Sequence, residues 1–539
     1  MELSSTDQPF SLESAALQLL EKDRLIAQMS QVIDEKNNDI DNKTDALDKK
    51  SLVISAQKKR IDQLLELLRL QRARMYGHSS EKSSQQGELF DEAELCSEPQ
   101  QDDNESSLPK KPTPPNKTKQ GRKSLSPNLP REQVFINLTD EEKEGAINTF
   151  YTLAKEALDI TPAKVRVIEY MQEKAVFSTE KKRTIKAATL PLHPLGKTIA
   201  SVGLLAHVIV SKFCDGLPLY RLENILKRYG GDISRTSMAN WVIKLSLAIQ
   251  PLINLLREYQ NAGDYINIDE TRMQVLKEPG LSPTSQKWMW VTRGGPPDKP
   301  IILFDYNATR RKEVPLRLLD DFRGYLQSDG YSGYDAICQK NALKQLGCWD
   351  HGRRHFVDAE KAAGKPKNNA AGKAPKYAVA LGKIRKLYVI EDRIKNLSVD
   401  EKYLQRQKYS KPVLDDIKKW LDNNIGATAK GGKTHQAMQY LLSQWPKMVV
   451  YCEDGRLNIS NAAAENAIRP FVIGRKGWLF ADTPKGAKAS AAHYSLIETA
   501  KANRIEPFAY YKALLTRLPY AKTVEDVETL LPWNVKISD

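Results

Sequence analysis

Cysteine is scarce in this chain, and its five copies (Cys96, Cys214, Cys338, Cys348 and Cys452) are scattered with no Cys-x-x-Cys spacing. That excludes a disulfide framework and fits a reducing cytoplasm. It also argues against a zinc module, which needs about four clustered thiolate or imidazole ligands, so zinc is not expected. Long apolar runs are missing too: Leu204 to Val210 falls far short of the roughly 20 residues of a membrane span. The opening MELSSTDQPF has no basic stretch followed by an apolar one, so no secretory signal and no membrane partner are expected. Acidic side chains are in deficit, 67 against 82 Lys and Arg, giving a net charge of +15. Such an excess attracts polyanions without choosing among them. The 539 residues allow roughly three or four domains.

What is present begins with a heptad column. Leu19, Ile26, Ile33, Ile40, Leu47, Ile54, Ile61 and Leu68 recur every seventh residue, and Met75 continues the series. Apolar residues at that interval form the seam of a coiled coil. Residues 1–78 are therefore read as a dimerisation helix, the alternative being one long amphipathic helix packed on the body. Lys22, Lys36, Lys43 and Lys50 occupy the companion column, which weakens the middle of the seam. Residues 79–131 are rich in Ser, Gln, Asp, Pro and Lys and read as a disordered linker, acidic first and basic later. Residues 132–190 have a strand-like outline. Residues 191–262 read as helical: Leu217 to Leu245 gives a helix, a Gly230-Gly231 turn and a second helix capped near Ser234. That pattern fits a helix-turn-helix with Arg235 and Asn240 facing DNA, and equally a helical hairpin that braces its neighbour.

Between Asp264 and His355 the order of elements becomes informative. Tyr265 to Asp269, Lys287 to Thr292 and Pro300 to Tyr306 read as three successive antiparallel strands. A helix over Arg311 to Leu319 follows, then a strand ending in Asp329, a helix from about Ser332 to Ala342, and a strand over Gln345 to Trp349. This is the order of a ribonuclease-H-like domain, in which the first and fourth strands lie side by side. Asp269 and Asp329 then end neighbouring strands, and two like charges so placed call for a hard cation such as Mg²⁺ (or Mn²⁺). Glu465 is the best third carboxylate, on a helix capped by Ser460 and ended by Pro470, with Arg469 four residues on along the same face. Glu270 is expected to point away from Asp269 by strand alternation. A basic, helical insertion over about 357–452 separates Asp329 from Glu465. The fold class is thus α+β and multidomain: an N-terminal coiled coil, a helical DNA-binding region, a ribonuclease-H-like catalytic domain over 263–500, and a C-terminal helical domain over 501–539.

The stretches YINIDETRMQV (265–275), YLQSDGYSGYD (325–335), GCWDHGRRHF (347–356), ENAIRPFVIGRKGWLF (465–480) and YSLIETAKAN (494–503) resemble the DDE transposases of the insertion-sequence-66 type. The resemblance implies cleavage at the ends of a mobile element and joining of the exposed 3′ hydroxyl to target DNA. Asp269, Asp329 and Glu465 fall on its catalytic triad. Trp349, His351 and Arg353 match the motif after the second aspartate, and Arg475 with Lys476 match a basic pair after the glutamate. His351, Arg353, Arg469, Arg475 and Lys476 are therefore expected to face DNA, His351 serving alternatively to orient a carboxylate or to pack beside Trp349. The resemblance further implies two small helper proteins of the same element. The mechanism expected is phosphoryl transfer assisted by two metal ions, one held by Asp269 and Asp329, the other by Asp269 and Glu465, and the location expected is the cytoplasm in association with the nucleoid. Two features depart from the family. Asn466 replaces the usual arginine after the glutamate, and the paired cysteines common before the helical region are missing, so residues 132–190 are read as a degenerate zinc-binding-like module. A DNA-binding protein whose chemistry has lapsed, or a nuclease without strand transfer, are the competing readings.

Overall fold

The computed structural model describes residues 12–76, 165–179, 182–363 and 374–537. The linker expected over 79–131, the first part of the module expected over 132–190, and most of the loop read at Gly364 to Lys376 lie outside the described residues. Helix α1 (Leu12–Tyr76) runs for 65 residues. Its seam residues from Leu19 to Leu68 are 45–65% exposed, so no element among the described residues covers them. Packing begins only near the C-terminal end, where Leu70 is buried. Strands β1 (Lys174–Thr179) and β2 (Lys182–Ala187) pair antiparallel. Four helices follow: α2 (Val202–Phe213), α3 (Leu219–Arg228), α4 (Arg235–Ala248) and α5 (Gln250–Asn261). The cap predicted at Ser234 is present, its hydroxyl accepting from the Ser237 N–H at 3.2 Å. Among the described residues, no single helix is long and apolar enough to cross a membrane.

The central sheet has five strands in the order β5-β4-β3-β6-β7: β3 (Tyr265–Met273), β4 (Lys287–Gly294), β5 (Ile301–Asn307), β6 (Tyr325–Gln327) and β7 (Lys344–Leu346). The first three are antiparallel neighbours. Strand β3 also pairs in parallel with β6, and β6 with β7. Helices α6 (Glu313–Leu318) and α7 (Asp335–Lys340) connect them, and Leu318, Phe322 and Ile337 pack with Ile266, Ile268 and Trp290. The last strand is shorter than its sequence suggested, because Trp349 opens helix α8 (Trp349–Ala363) instead of ending β7. A helical block follows, comprising α9 (Lys376–Ile394), α10 (Val399–Gln405), α11 (Lys411–Ile425) and α12 (Lys433–Met448). It closes over Trp349 and Phe356 with Ile384, Leu414 and Leu441. Glu66 of α1 accepts the Lys433 N–H at 3.1 Å, satisfying a donor left open at the start of α12.

Helices α13 (Ala462–Trp478), α14 (Pro484–Ala502), α15 (Pro507–Arg517) and α16 (Val524–Glu528) complete the chain. Helix α14 is buried nearly all round, and it solves the problem of the open edge on β5. Ser495 Oγ accepts the Phe304 N–H at 2.8 Å, and Thr499 Oγ1 accepts the Ile302 N–H at 3.0 Å and donates to its carbonyl at 2.9 Å. Asn503 donates to the Pro300 carbonyl at 2.9 Å. Four residues of helix advance about 6 Å and two of strand about 6.6 Å, so one side chain per turn meets every second strand residue. Paired in this way from Pro300 to Phe304, that stretch of the strand is closed to another chain.

Candidate active site

Asp269 stands inside β3, opposite Val291 of β4, and not at a strand end as its sequence suggested. The reason lies in its two neighbours. The parallel ladder with β6 stops at Asn267 and Gln327, whereas the antiparallel ladder with β4 continues to Met273. Asp269 therefore sits beyond the end of one partner while still held by the other, and Asp329 follows two residues after that same end. Asp269 Oδ1 accepts the Glu270 N–H at 2.8 Å. Burial, together with the charges of Glu270, Glu465 and Asp329, nevertheless pushes its carboxyl up to about 8. A carboxyl so crowded by negative charge favours a bound cation.

Asp329 is set in a tight turn. Its Oδ1 accepts the Tyr331 N–H at 3.0 Å, and its Oδ2 lies 3.4 Å from Arg310 Nη2. Gly330 fits there because a Cβ would meet the Tyr440 hydroxyl at 2.9 Å. Arg310 also pairs with Glu270, whose side chain is 1% exposed, and stacks on Tyr331 at 3.9 Å from the ring centre. Glu270 further accepts from the Tyr334 hydroxyl. Glu270, expected to point away from Asp269, is tied through Arg310 to Asp329, and its charge helps to raise the Asp269 carboxyl.

Glu465 lies near the start of α13. The cap is Asn461 and not Ser460, and the helix runs through Pro470 to Trp478 instead of stopping. Burial of Ala467, Ile468, Phe471 and Gly474 along one face holds the helix together across the proline, which forfeits one N–H. Asn461 fixes where Glu465 stands. Its amide donates to the Ile268 carbonyl at 2.9 Å, its Oδ1 accepts from Asn267 Nδ2 at 3.1 Å, and its backbone N–H meets Cys348 Sγ at 3.2 Å. Beneath lies a buried polar layer in which Asn267 donates to Gln327 at 2.8 Å and Gln327 to the Asn458 carbonyl at 2.8 Å.

His351 Nδ1 lies 3.8 Å from Glu465 Oε1, so the carboxylate faces His351 of α8. Both atoms are buried and without a hydrogen bond. Among the described residues, a group of potential ligand atoms within 4.8 Å of one another is formed by Cys348, His351 and Glu465, and it contains neither aspartate. Arg353 is exposed on α8 and Arg469 half-buried on α13. Arg475 and Lys476 stand about 15 Å along α13 from Glu465. Arg475 lines a shallow cavity of about 370 Å³ with Arg272, Gln274 and Leu479. Arg235 and Asn240 are exposed on α4, which packs on α14, His493 of α14 bonding the Val242 carbonyl at 2.9 Å. Sequence reasoning missed Asn461, Arg310 and Cys348. Of these only Cys348 carried a signal, as the residue just before the Trp349–His351 motif.

The family model described as "Transposase IS66 family" matches residues 197–489, and that described as "IS66 C-terminal element" matches residues 495–533. A third, "Transposase C of IS166 homeodomain", matches residues 63–134. The chain is 30% identical over 393 residues to the uncharacterised protein y4qI of Sinorhizobium fredii, covering 71% of each. It is 29% identical over 395 residues to y4hP of the same organism, covering 71% of this chain and 70% of that one.

Proposed function

The chain belongs to the IS66 transposase family, and on that footing we propose that it cuts the ends of a mobile element and joins them to target DNA through Asp269, Asp329 and Glu465. DNA is the partner the family indicates. The observation that best supports the site is the raised proton affinity of Asp269, caused first by burial and the Glu270 charge and then by Glu465 and Asp329. With the orphaned Oε1 of Glu465, this is a donor set suited to a hard divalent cation. Mg²⁺ or Mn²⁺ bound by the three carboxylates would polarise the scissile phosphate and steady the leaving oxygen. The protein's own residues set the stage for this chemistry. Arg310 fixes the Asp329 carboxylate, Asn461 fixes the start of α13, and Arg475 and Lys476 offer cations to the DNA backbone.

The strand order β5-β4-β3-β6-β7 supports a ribonuclease-H-like reading of the sheet. The uncovered heptad seam of α1 supports pairing of two chains, so that two DNA ends are brought together. The test is strand cleavage of an oligonucleotide carrying the element's own terminus, with Mg²⁺, by Asp269→Asn, Asp329→Asn and Glu465→Gln. Each should lose at least about a hundredfold in rate. Cutting at the unaltered rate would remove that residue from the site. Adding target DNA separates joining from simple hydrolysis, since a nuclease of the same fold yields no joined product.

A further inference from the structure

Cys348 has no part in the triad, and burial with the charges of Asp350 and Glu465 pushes its thiol up, so that only a bound cation would make a thiolate of Cys348. It stands just before α8, buried to 1%, with its sulfur receiving the Asn461 N–H at 3.2 Å and lying at the positive end of a 15-residue helix. Across from it are the His351 and Glu465 atoms that are buried and unpartnered, 3.8 Å apart. That gap is too long for a hydrogen bond. It is close to the separation of about 3.3–3.6 Å between donors on a tetrahedral zinc ion, as follows from the bond lengths. One thiolate, one imidazole and one carboxylate form a softer donor set than Mg²⁺ prefers. The thiolate and carboxylate together also cancel the charge of a divalent ion, which suits a buried position.

We propose that Cys348, His351 and Glu465 form a second metal site, specific for zinc-class ions, whose occupancy holds Glu465 away from Asp269 and so arrests the enzyme. Binding releases the Cys348 thiol proton to solvent, and the fourth position stays open to water. His351 and Glu465 are 25% and 20% exposed, so an ion has a route in. The binding half stands by itself; the inhibitory half rests on the function proposed above.

The test is to titrate the full-length protein with Co²⁺ in excess Mg²⁺ and follow absorption. A thiolate-to-cobalt charge-transfer band saturating at one ion per chain is expected, absent in Cys348→Ser and retained in Cys338→Ser. Serine keeps a capping oxygen before α8, and an unchanged thermal transition shows that the variant is folded. No band in the parent protein, or a band that survives Cys348→Ser, overturns the site. For the inhibitory half, the Zn²⁺ concentration that halves DNA cleavage should rise about tenfold or more in Cys348→Ser, each protein compared with its own zinc-free rate. Equal sensitivity overturns the arrest. A cobalt band in a protein that cuts no DNA under any condition would overturn the proposed function and leave the metal site standing.

Discussion

The side-chain amide of Asn461 donates to the backbone carbonyl of Ile268 across 2.9 Å, joining the cap of the helix that carries Glu465 to the residue before Asp269. Two acids 196 residues apart in the chain are thus set by one amide, which is itself 1% exposed. Asn461→Ala leaves the Ile268 carbonyl and the Asn267 amide short of a partner. A loss of about 1–3 kcal/mol is expected by urea denaturation, since buried polar groups left unpaired carry their desolvation cost. DNA cleavage should fall further than the stability loss explains. A variant that cuts normally would show that Asn461 only braces the fold.

Arg310 answers two acids at once, and Glu270 is the more buried of them. Arg310→Met strands that carboxylate, and a destabilisation of up to about 3 kcal/mol is expected, moderated because the arginine is a third exposed. Adding Glu270→Gln should recover much of the loss. A double-mutant cycle by thermal unfolding checks it, and simple additivity of the two changes would argue against the coupling.

Thr499 keeps the shape of valine but satisfies both backbone groups of Ile302. Thr499→Val should therefore cost about 1–3 kcal/mol without opening a cavity. Hydrogen exchange at the Ile302 amide should speed up at the same time. An unchanged exchange rate would mean that β5 is protected by something other than α14.

His493 is wholly enclosed, its Nε2 donating to the Val242 carbonyl at 2.9 Å and its Nδ1 accepting from the Tyr511 hydroxyl at 3.0 Å, with the ring stacked on Phe213 at 5.2 Å. Burial lowers its imidazole from 6.5 to about 4. Between those values the unfolded chain takes up a proton that the folded one refuses. The folded state therefore keeps its full stability above pH 6.5, loses it as the pH falls, and loses no more from this source below about 4. The span corresponds to about 3 kcal/mol at most. Melting temperature against pH should drop more steeply in this window for the parent than for His493→Gln. Parallel curves would assign the acid sensitivity elsewhere.

The sheet was legible in sequence because three apolar strands bounded by Gly and Pro leave little choice of period. The limits of pairing were not. Asp269 lies mid-strand because β4 outlasts β6 as its partner, and no single strand's text records how long its neighbour is. Pro470 looked like a stop, but whether a helix survives a proline depends on what its buried face gains, here through Ile468 and Phe471. Cys348 and Asn461 are separated by 113 positions, so their contact belongs to the fold alone. The helices flanking Gly230 and Gly231 were foreseen, with the cap at Ser234, because turn and cap chemistry is local.

The two adjoining family segments meet between residues 489 and 495, which is the middle of α14. A stop placed at that seam would strip Ser495, Thr499 and Asn503 from the protein together, leaving the rim of the sheet bare and ready to zip onto another molecule. The terminal segment is therefore a guard rail for the sheet, and losing it should send the truncated product into inclusion bodies before any question of its chemistry arises.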